Sequence, residues 1–182
     1  MRTLVLGGAR SGKSTHAEAL AAAATSVTYV ATAETRPDDA EWVERVALHR
    51  ARRPSHWQTV ETTDLVGVLA GQGEVTLLVD CLGVWLTRMM DECGIWDERP
   101  QRHAAAREEL QTRVDALVRA VQATQRDVVL VSNEVGQGVV PAHWSGRFFR
   151  DQLGILNSRV ASACERVVFC IAGIPTTIKP GA

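Results

Sequence analysis

Residues Gly7, Gly8, Ala9, Arg10, Ser11, Gly12, Lys13 and Ser14 match the pattern G-x-x-x-x-G-K-[ST]. Each residue type answers a requirement of phosphate binding. Glycines let the backbone fold tightly enough for successive N–H groups to point inward at phosphate oxygens. A helix starting near Gly12 adds the positive end of its dipole. Lys13 brings a point charge to the outer phosphates, and the Ser14 hydroxyl is suited to ligating Mg2+. A glycine-rich turn can match by chance, but here the pattern lies between a strand and a helix, the context this chemistry requires. The segment therefore predicts a nucleoside triphosphate, ATP or GTP, held at 7–14.

Three further places could do chemistry. Asp80 closes an apolar run and reads as a carboxylate on the metal side, acting directly or through a water that Mg2+ retains. The other reading is a strand cap binding local N–H groups, and the phosphate loop favours the first. Arg45, His49, Arg50, Arg52 and Arg53, with His56 and Trp57 beyond them, form a basic cluster. Such a cluster suits phosphates and equally describes a solvated helix face. A lone histidine near a helix end is more often a surface or core residue than a catalyst. Yet imidazole can attack phosphorus, and a covalent intermediate splits a nucleotidyl transfer into two easier displacements. The arginines would stabilise the charge building on the phosphoryl oxygens and keep the imidazole neutral. In the polar segment 132–138, Asn133 and Glu134 either shape a glycine turn or position substrate. Arg147 and Arg150 either contact phosphate or acceptor, or pair with Asp151.

The elements that must hold these residues follow from periodicity and breakers. Strands are predicted at 1–6, 27–31, 58–62, 75–80, 127–131 and 166–171. Helices are predicted at 12–24, 38–53, 64–70, 84–90, 101–125 and 148–164. The second has Trp42, Val43, Val46 and His49 on one side and stops before Pro54. In the fifth, Leu110, Val114, Leu117, Val118 and Val121 share a face. A turn with a short extended tail is expected at 173–179. Apolar strands alternating with amphipathic helices indicate an α/β fold with a mostly parallel sheet covered on both faces. With the phosphate loop this is a P-loop NTPase-like architecture, whose ligands bind at the carboxyl ends of the strands.

Composition narrows the class. A chain of 182 residues with 46% apolar content is read as one folded domain. A net charge of -1 gives no reason to expect nucleic acid or an anionic membrane as partner. No apolar run is long enough to span a bilayer, and Arg2 leads directly into a strand rather than a signal peptide. The four cysteines, Cys81, Cys93, Cys164 and Cys170, form no C-x-x-C pair and have no histidine at zinc spacing. Free thiols in the cytoplasm, without zinc or membrane insertion, are expected.

Taken together, the phosphate loop, the His49 segment and 132–138 resemble the bifunctional cobinamide kinase and cobinamide-phosphate guanylyltransferase family. The similarity runs nearly end to end. The loop is followed by Tyr29-Val30-Ala31-Thr32-Ala33, then His49-Arg50-Ala51-Arg52-Arg53-Pro54 with Trp57 and Glu61, then Asp80-Cys81-Leu82. The most family-specific run is Ser132-Asn133-Glu134-Val135-Gly136-Gln137-Gly138-Val139-Val140-Pro141, with Phe149-Arg150-Asp151, Asn157, Gly173-Ile174-Pro175 and Ile178-Lys179 after it. The resemblance implies two reactions: phosphorylation of adenosylcobinamide by ATP or GTP, then GMP transfer from GTP to adenosylcobinamide-phosphate. It places the GMP-carrying histidine at His49 and nucleotide contacts at residues 7–14, Thr32, Ala33, Glu34, Arg50, Ala51, Arg52, Arg53, Glu61 and Asp80. It also implies a homotrimer, in which Trp96 and Trp144 would lie either at subunit contacts or in the core. This chain has Leu48 where some members have a second histidine, and Asp80 where some have glutamate. A GTP-binding regulatory switch is the competing class, but no N-K-x-D guanine-reading motif is present; a small-molecule kinase without guanylyl transfer is the narrower alternative.

Overall fold

Residues 1–33, 43–44, 47, 50–51, 53–96 and 100–181 are described by the computed structural model. In chain order the strands among them are β1 (Arg2–Gly7), β2 (Val27–Ala31), β3 (Gln58–Glu61), β4 (Thr76–Asp80), β5 (Val128–Asn133), β6 (Arg166–Ile171) and β7 (Ile174–Lys179). The helices are α1 (Lys13–Ala21), α2 (Leu65–Ala70), α3 (Leu82–Glu92), α4 (Pro100–Ala123) and α5 (Trp144–Ala163). All the strands join one sheet in the order β3-β2-β4-β5-β1-β6-β7. The pairings are parallel except for β7, which lies antiparallel on β6 at the edge.

Side chains alternate across the strands and so feed two apolar layers. Leu4 and Leu6 of β1 pack with Leu65, Leu69, Leu86, Leu117 and Leu156 from α2 to α5, whereas Val5 packs on the other face with Ala17 and Ala21 of α1. The small alanines bring α1 close to the sheet just after the phosphate loop. The expected face of α4 is buried throughout. Its outer side carries Arg113, bound to Glu92 and Glu109.

Several boundaries differ from expectation. β5 runs on through Ser132 and Asn133, which pair with Leu6 and Gly7. Their polarity is absorbed by Asn157: Ser132 Oγ donates to Asn157 Oδ1 at 2.6 Å, and Asn157 Nδ2 donates to the Asn133 carbonyl at 2.9 Å. α1 ends at Ala21, with 22–24 forming a turn. α3 extends at both ends beyond 84–90. Pro100 opens α4, a position that proline favours. α5 starts a turn early, where Trp144 stacks between His103 (5.5 Å) and Phe148 (5.2 Å) and meets Trp96 edge-on at 6.3 Å. Trp96 and Trp144 thus pack on each other at the flank, and Trp144 stays partly exposed.

The tail at 173–179 is a paired strand. Ala172 and Gly173 both have positive φ (52° and 81°) and make a two-residue hairpin between Ile171 and Ile174. Lys179 Nζ then donates to the carbonyls of Ala161 and Cys164 at the end of α5. In the region predicted as helix 38–53, Val43, Glu44, Ala47, Arg50 and Ala51 are helical. Val43 is exposed, against the apolar face expected of it. Trp42, Arg45, Val46, Leu48, His49 and Arg52 lie outside the described residues.

Candidate active site

The loop after β1 is shaped by contacts that exclude side chains. A Cβ on Gly7 would stand 2.3 Å from Ser11 Oγ and 2.7 Å from the Cys170 carbonyl oxygen. Gly12 has φ 87°, and a Cβ there would lie 3.0 Å from Gly173 Cα. Neighbouring turns hold the loop from both sides: Gly173 N–H donates to the Ser11 carbonyl, and Glu134 N–H to that of Gly7, each at 3.0 Å. Gly8 and the exposed Ala9 and Arg10 form the rim. Gly12 is the N-cap of α1 and offers no side-chain cap, so the first-turn amides stay available to an anion. Lys13 Nζ lies across the loop and donates to the Gly8 carbonyl at 3.1 Å. Ser11 Oγ is buried against Gly7 and has no hydrogen-bond partner among the described residues.

Asp80 ends β4, two strands from Gly7. It shares a strand face with Leu78, which packs in the α1 layer, so its carboxylate lies on the side of Lys13 and Ser14. Tyr29 Oη donates to Asp80 Oδ2 at 3.2 Å. Burial, and then the Asp80 charge, hold the Tyr29 phenol far above its ordinary value, so it remains a donor. The Arg53 guanidinium sits over the Tyr29 ring, 3.7 Å from its centroid. Thr32 clamps the ends of β2 and β4: its Oγ1 donates to the Cys81 carbonyl at 2.8 Å and accepts the Cys81 N–H at 3.0 Å. Burial pushes the Cys81 thiol up to about 11, and the Asp80 charge adds to that, against a downward pull from Lys13. The buried thiol is therefore no nucleophile near neutral pH.

Glu61 ends β3 beside Ala31 and forms a 2.7 Å ion pair with Arg50. Ala33 follows Thr32 in a bend, and Ala51 is helical and exposed. The fold thus gathers 7–14, Thr32, Ala33, Arg50, Arg53, Glu61 and Asp80 toward the carboxyl ends of parallel strands. Glu34, His49 and Arg52 lie outside the described residues.

Around 132–138, Glu134 Oε1 accepts the Gly136 N–H at 2.6 Å and so shapes its own turn. Arg150 donates to the Gly136 carbonyl, and Arg147 to those of Pro141 and Ala142. Both arginines hold this segment to α5, and neither pairs with Asp151 among the described residues. Tyr29 and Asn157 occur in family-like runs, but their work depends on partners distant in sequence and had no local signal.

The oxygens on hand suit Mg2+. The Ser14 hydroxyl lies in the first turn of α1, half-buried, and Asp80 Oδ1 accepts no hydrogen bond among the described residues. A hydroxyl and one carboxylate are hard donors, and Mg2+ typically takes few protein ligands beside water and phosphate.

The profile of the cobinamide kinase / cobinamide phosphate guanyltransferase family matches residues 3–178. The chain belongs to this family. A bifunctional adenosylcobalamin biosynthesis protein of Pseudomonas aeruginosa is 44% identical, with 98% of each chain covered. Its counterpart in Escherichia coli is 38% identical, covering 98% of this chain and 100% of the relative. Among solved structures, an ATPase of a bacterial type III secretion system superposes with TM-score 0.60 at 15% identity, over 92% of this chain and 50% of that one. The assembled ATPase EscN of enteropathogenic E. coli gives 0.56 at 14% identity, over 94% of this chain and 43% of its own. The chain spans about half the length of these ATPases, and at this identity the likeness is one of fold.

Proposed function

We propose that this chain is a bifunctional enzyme of adenosylcobalamin biosynthesis, one catalytic domain that performs two transfers in succession. The family match over residues 3–178 carries this reading. In the first transfer, the adenosylcobinamide hydroxyl attacks the γ-phosphorus of ATP or GTP, losing its proton and releasing the nucleoside diphosphate. In the second, an imidazole nitrogen of His49 attacks the α-phosphorus of GTP and expels pyrophosphate. A phosphate oxygen of adenosylcobinamide-phosphate then displaces the imidazole, giving adenosylcobinamide-GDP.

Phosphoryl transfer needs positioning and charge neutralisation more than covalent help. The amides of 7–14 and the ammonium of Lys13 supply both, with Lys13 leaving the Gly8 carbonyl for a phosphate oxygen. Mg2+ at Ser14 and Asp80 would neutralise charge on the phosphates. Thr32, Ala33, Glu34, Arg50, Ala51, Arg52, Arg53 and Glu61 form the remaining nucleotide contacts. The Arg50–Glu61 pair is exposed on both sides, so it can open toward a ligand at little cost. The enzyme works in the cytoplasm as a homotrimer, without nucleic acid. No helix of the described residues is long and apolar enough to cross a membrane.

The test is mass spectrometry of the intact protein after GTP and Mg2+. We expect a GMP adduct on His49, acid-labile and alkali-stable as a phosphoramidate. His49→Ala should remain unlabelled while keeping adenosylcobinamide phosphorylation. Labelling of the His49→Ala protein would remove His49 from the mechanism.

A further inference from the structure

Tyr29 lies between two groups of opposite charge. Its hydroxyl donates to Asp80 Oδ2 at 3.2 Å, and the Arg53 guanidinium covers its ring at 3.7 Å. The ring is buried in the layer containing Trp57, Leu78, Ala17 and Ala21, which holds the hydroxyl at the Asp80 end of β4. A carboxylate at a strand end otherwise rotates broadly about χ2, with its two oxygens interchangeable. A fixed donor on Oδ2 removes that equivalence and leaves Oδ1 as the acceptor available to a ligand.

We propose that Tyr29 is a positioning residue: it holds the Asp80 carboxylate with Oδ1 presented to the magnesium-nucleotide complex, and Arg53 stacked on the ring keeps the hydroxyl in place. This rests on the reading of Asp80 as the metal-side carboxylate. Phenylalanine at this position would fill the same space and leave Oδ2 without its donor. Tyr29 touches neither nucleotide nor acceptor in this scheme and acts only through Asp80.

The experiment measures calorimetric affinity for guanosine 5′-(α,β-methylene)triphosphate, whose α–β bridge blocks GMP transfer, in Mg2+ and in EDTA. The proteins are the wild type, Tyr29→Phe, Asp80→Asn and the double variant. The gain in affinity on adding Mg2+ is the readout. Tyr29→Phe should cut that gain about tenfold, the scale of lost support to a metal ligand, with the EDTA affinity unchanged. In the Asp80→Asn background it should cut nothing further. Equal losses with and without Mg2+, or losses that add in the double variant, would show a packing role and overturn the proposal. If Asp80→Asn itself retains the full gain, the metal-side reading of Asp80 fails first and the proposal falls with it.

Discussion

Gly12 meets two demands at once. Its φ of 87° lies in the left-handed region, and its α-carbon faces the Gly173 turn with no room for a methyl group. Gly12→Ala should lose about 1–2 kcal/mol from the backbone conformation alone, read as a lower urea midpoint. Nucleotide affinity should fall as well, because the shifted loop misaligns its amides. Gly8→Ala has open space around the new methyl group and should leave the urea midpoint nearly unchanged. Equal stability of the two variants would show that the Gly173 turn does not buttress the loop. The chemistry of this loop is legible in sequence because its glycines, Lys13 and Ser14 are contiguous in the chain. Asp80 is legible too, as a carboxylate closing an apolar run. Tyr29 is not, since its hydrogen bond spans 51 residues and its chemical role begins only where β2 and β4 lie side by side.

Among the elements, α2 depends on its cap. It is six residues long, too short to persist by propensity, and is held by buried Leu65 and Leu69 and by Asp64, whose carboxylate accepts the Gly67 N–H at 2.9 Å. Asp64→Ala should destabilise the protein by about 1 kcal/mol and Asp64→Ser should restore most of it. Chemical denaturation reads both, and an unaltered midpoint in Asp64→Ala would show packing alone to be sufficient. The helix was readable because Asp64 directly precedes an apolar run. The strands β1, β4 and β6 were readable for the same reason, being apolar over most of their length. The last two residues of β5 and the pairing of β7 into the sheet were not. Ser132 and Asn133 look like loop until Asn157 satisfies them from α5, and β7 is exposed along nearly its whole length. Its hairpin turns through Ala172-Gly173: Gly173 signals the turn, but an alanine at positive φ does not mark it as a two-residue hairpin as asparagine would.

At the scale of the whole molecule, the Arg2–Glu165 network lies at the opposite end of β1 from the phosphate loop. Gly7 ends β1 at the phosphate loop, while Arg2 begins it roughly 16–17 Å away by strand geometry. Arg2 holds Glu165 just before β6 and donates to the carbonyls of Val121 and Gln122 in the last turn of α4. The Arg2 guanidinium and backbone bring the Glu165 carboxyl down to about 2, from an ordinary value of 4.5. Between those values the unfolded chain binds a proton that the folded chain does not, so folding is favoured as pH rises. The contribution is therefore fully present above about pH 4.5 and disappears as pH falls through about 2. Glu165→Gln should cost about 1.5–3 kcal/mol at neutral pH, the range for a hydrogen bond to a charged group. That deficit should shrink steadily between pH 5 and pH 3 in urea titrations. A deficit that stays constant with pH would show that the carboxylate charge adds nothing. Affinity for the GTP analogue should be unchanged at neutral pH, because the described residues proposed to touch nucleotide lie toward the other end of the strands.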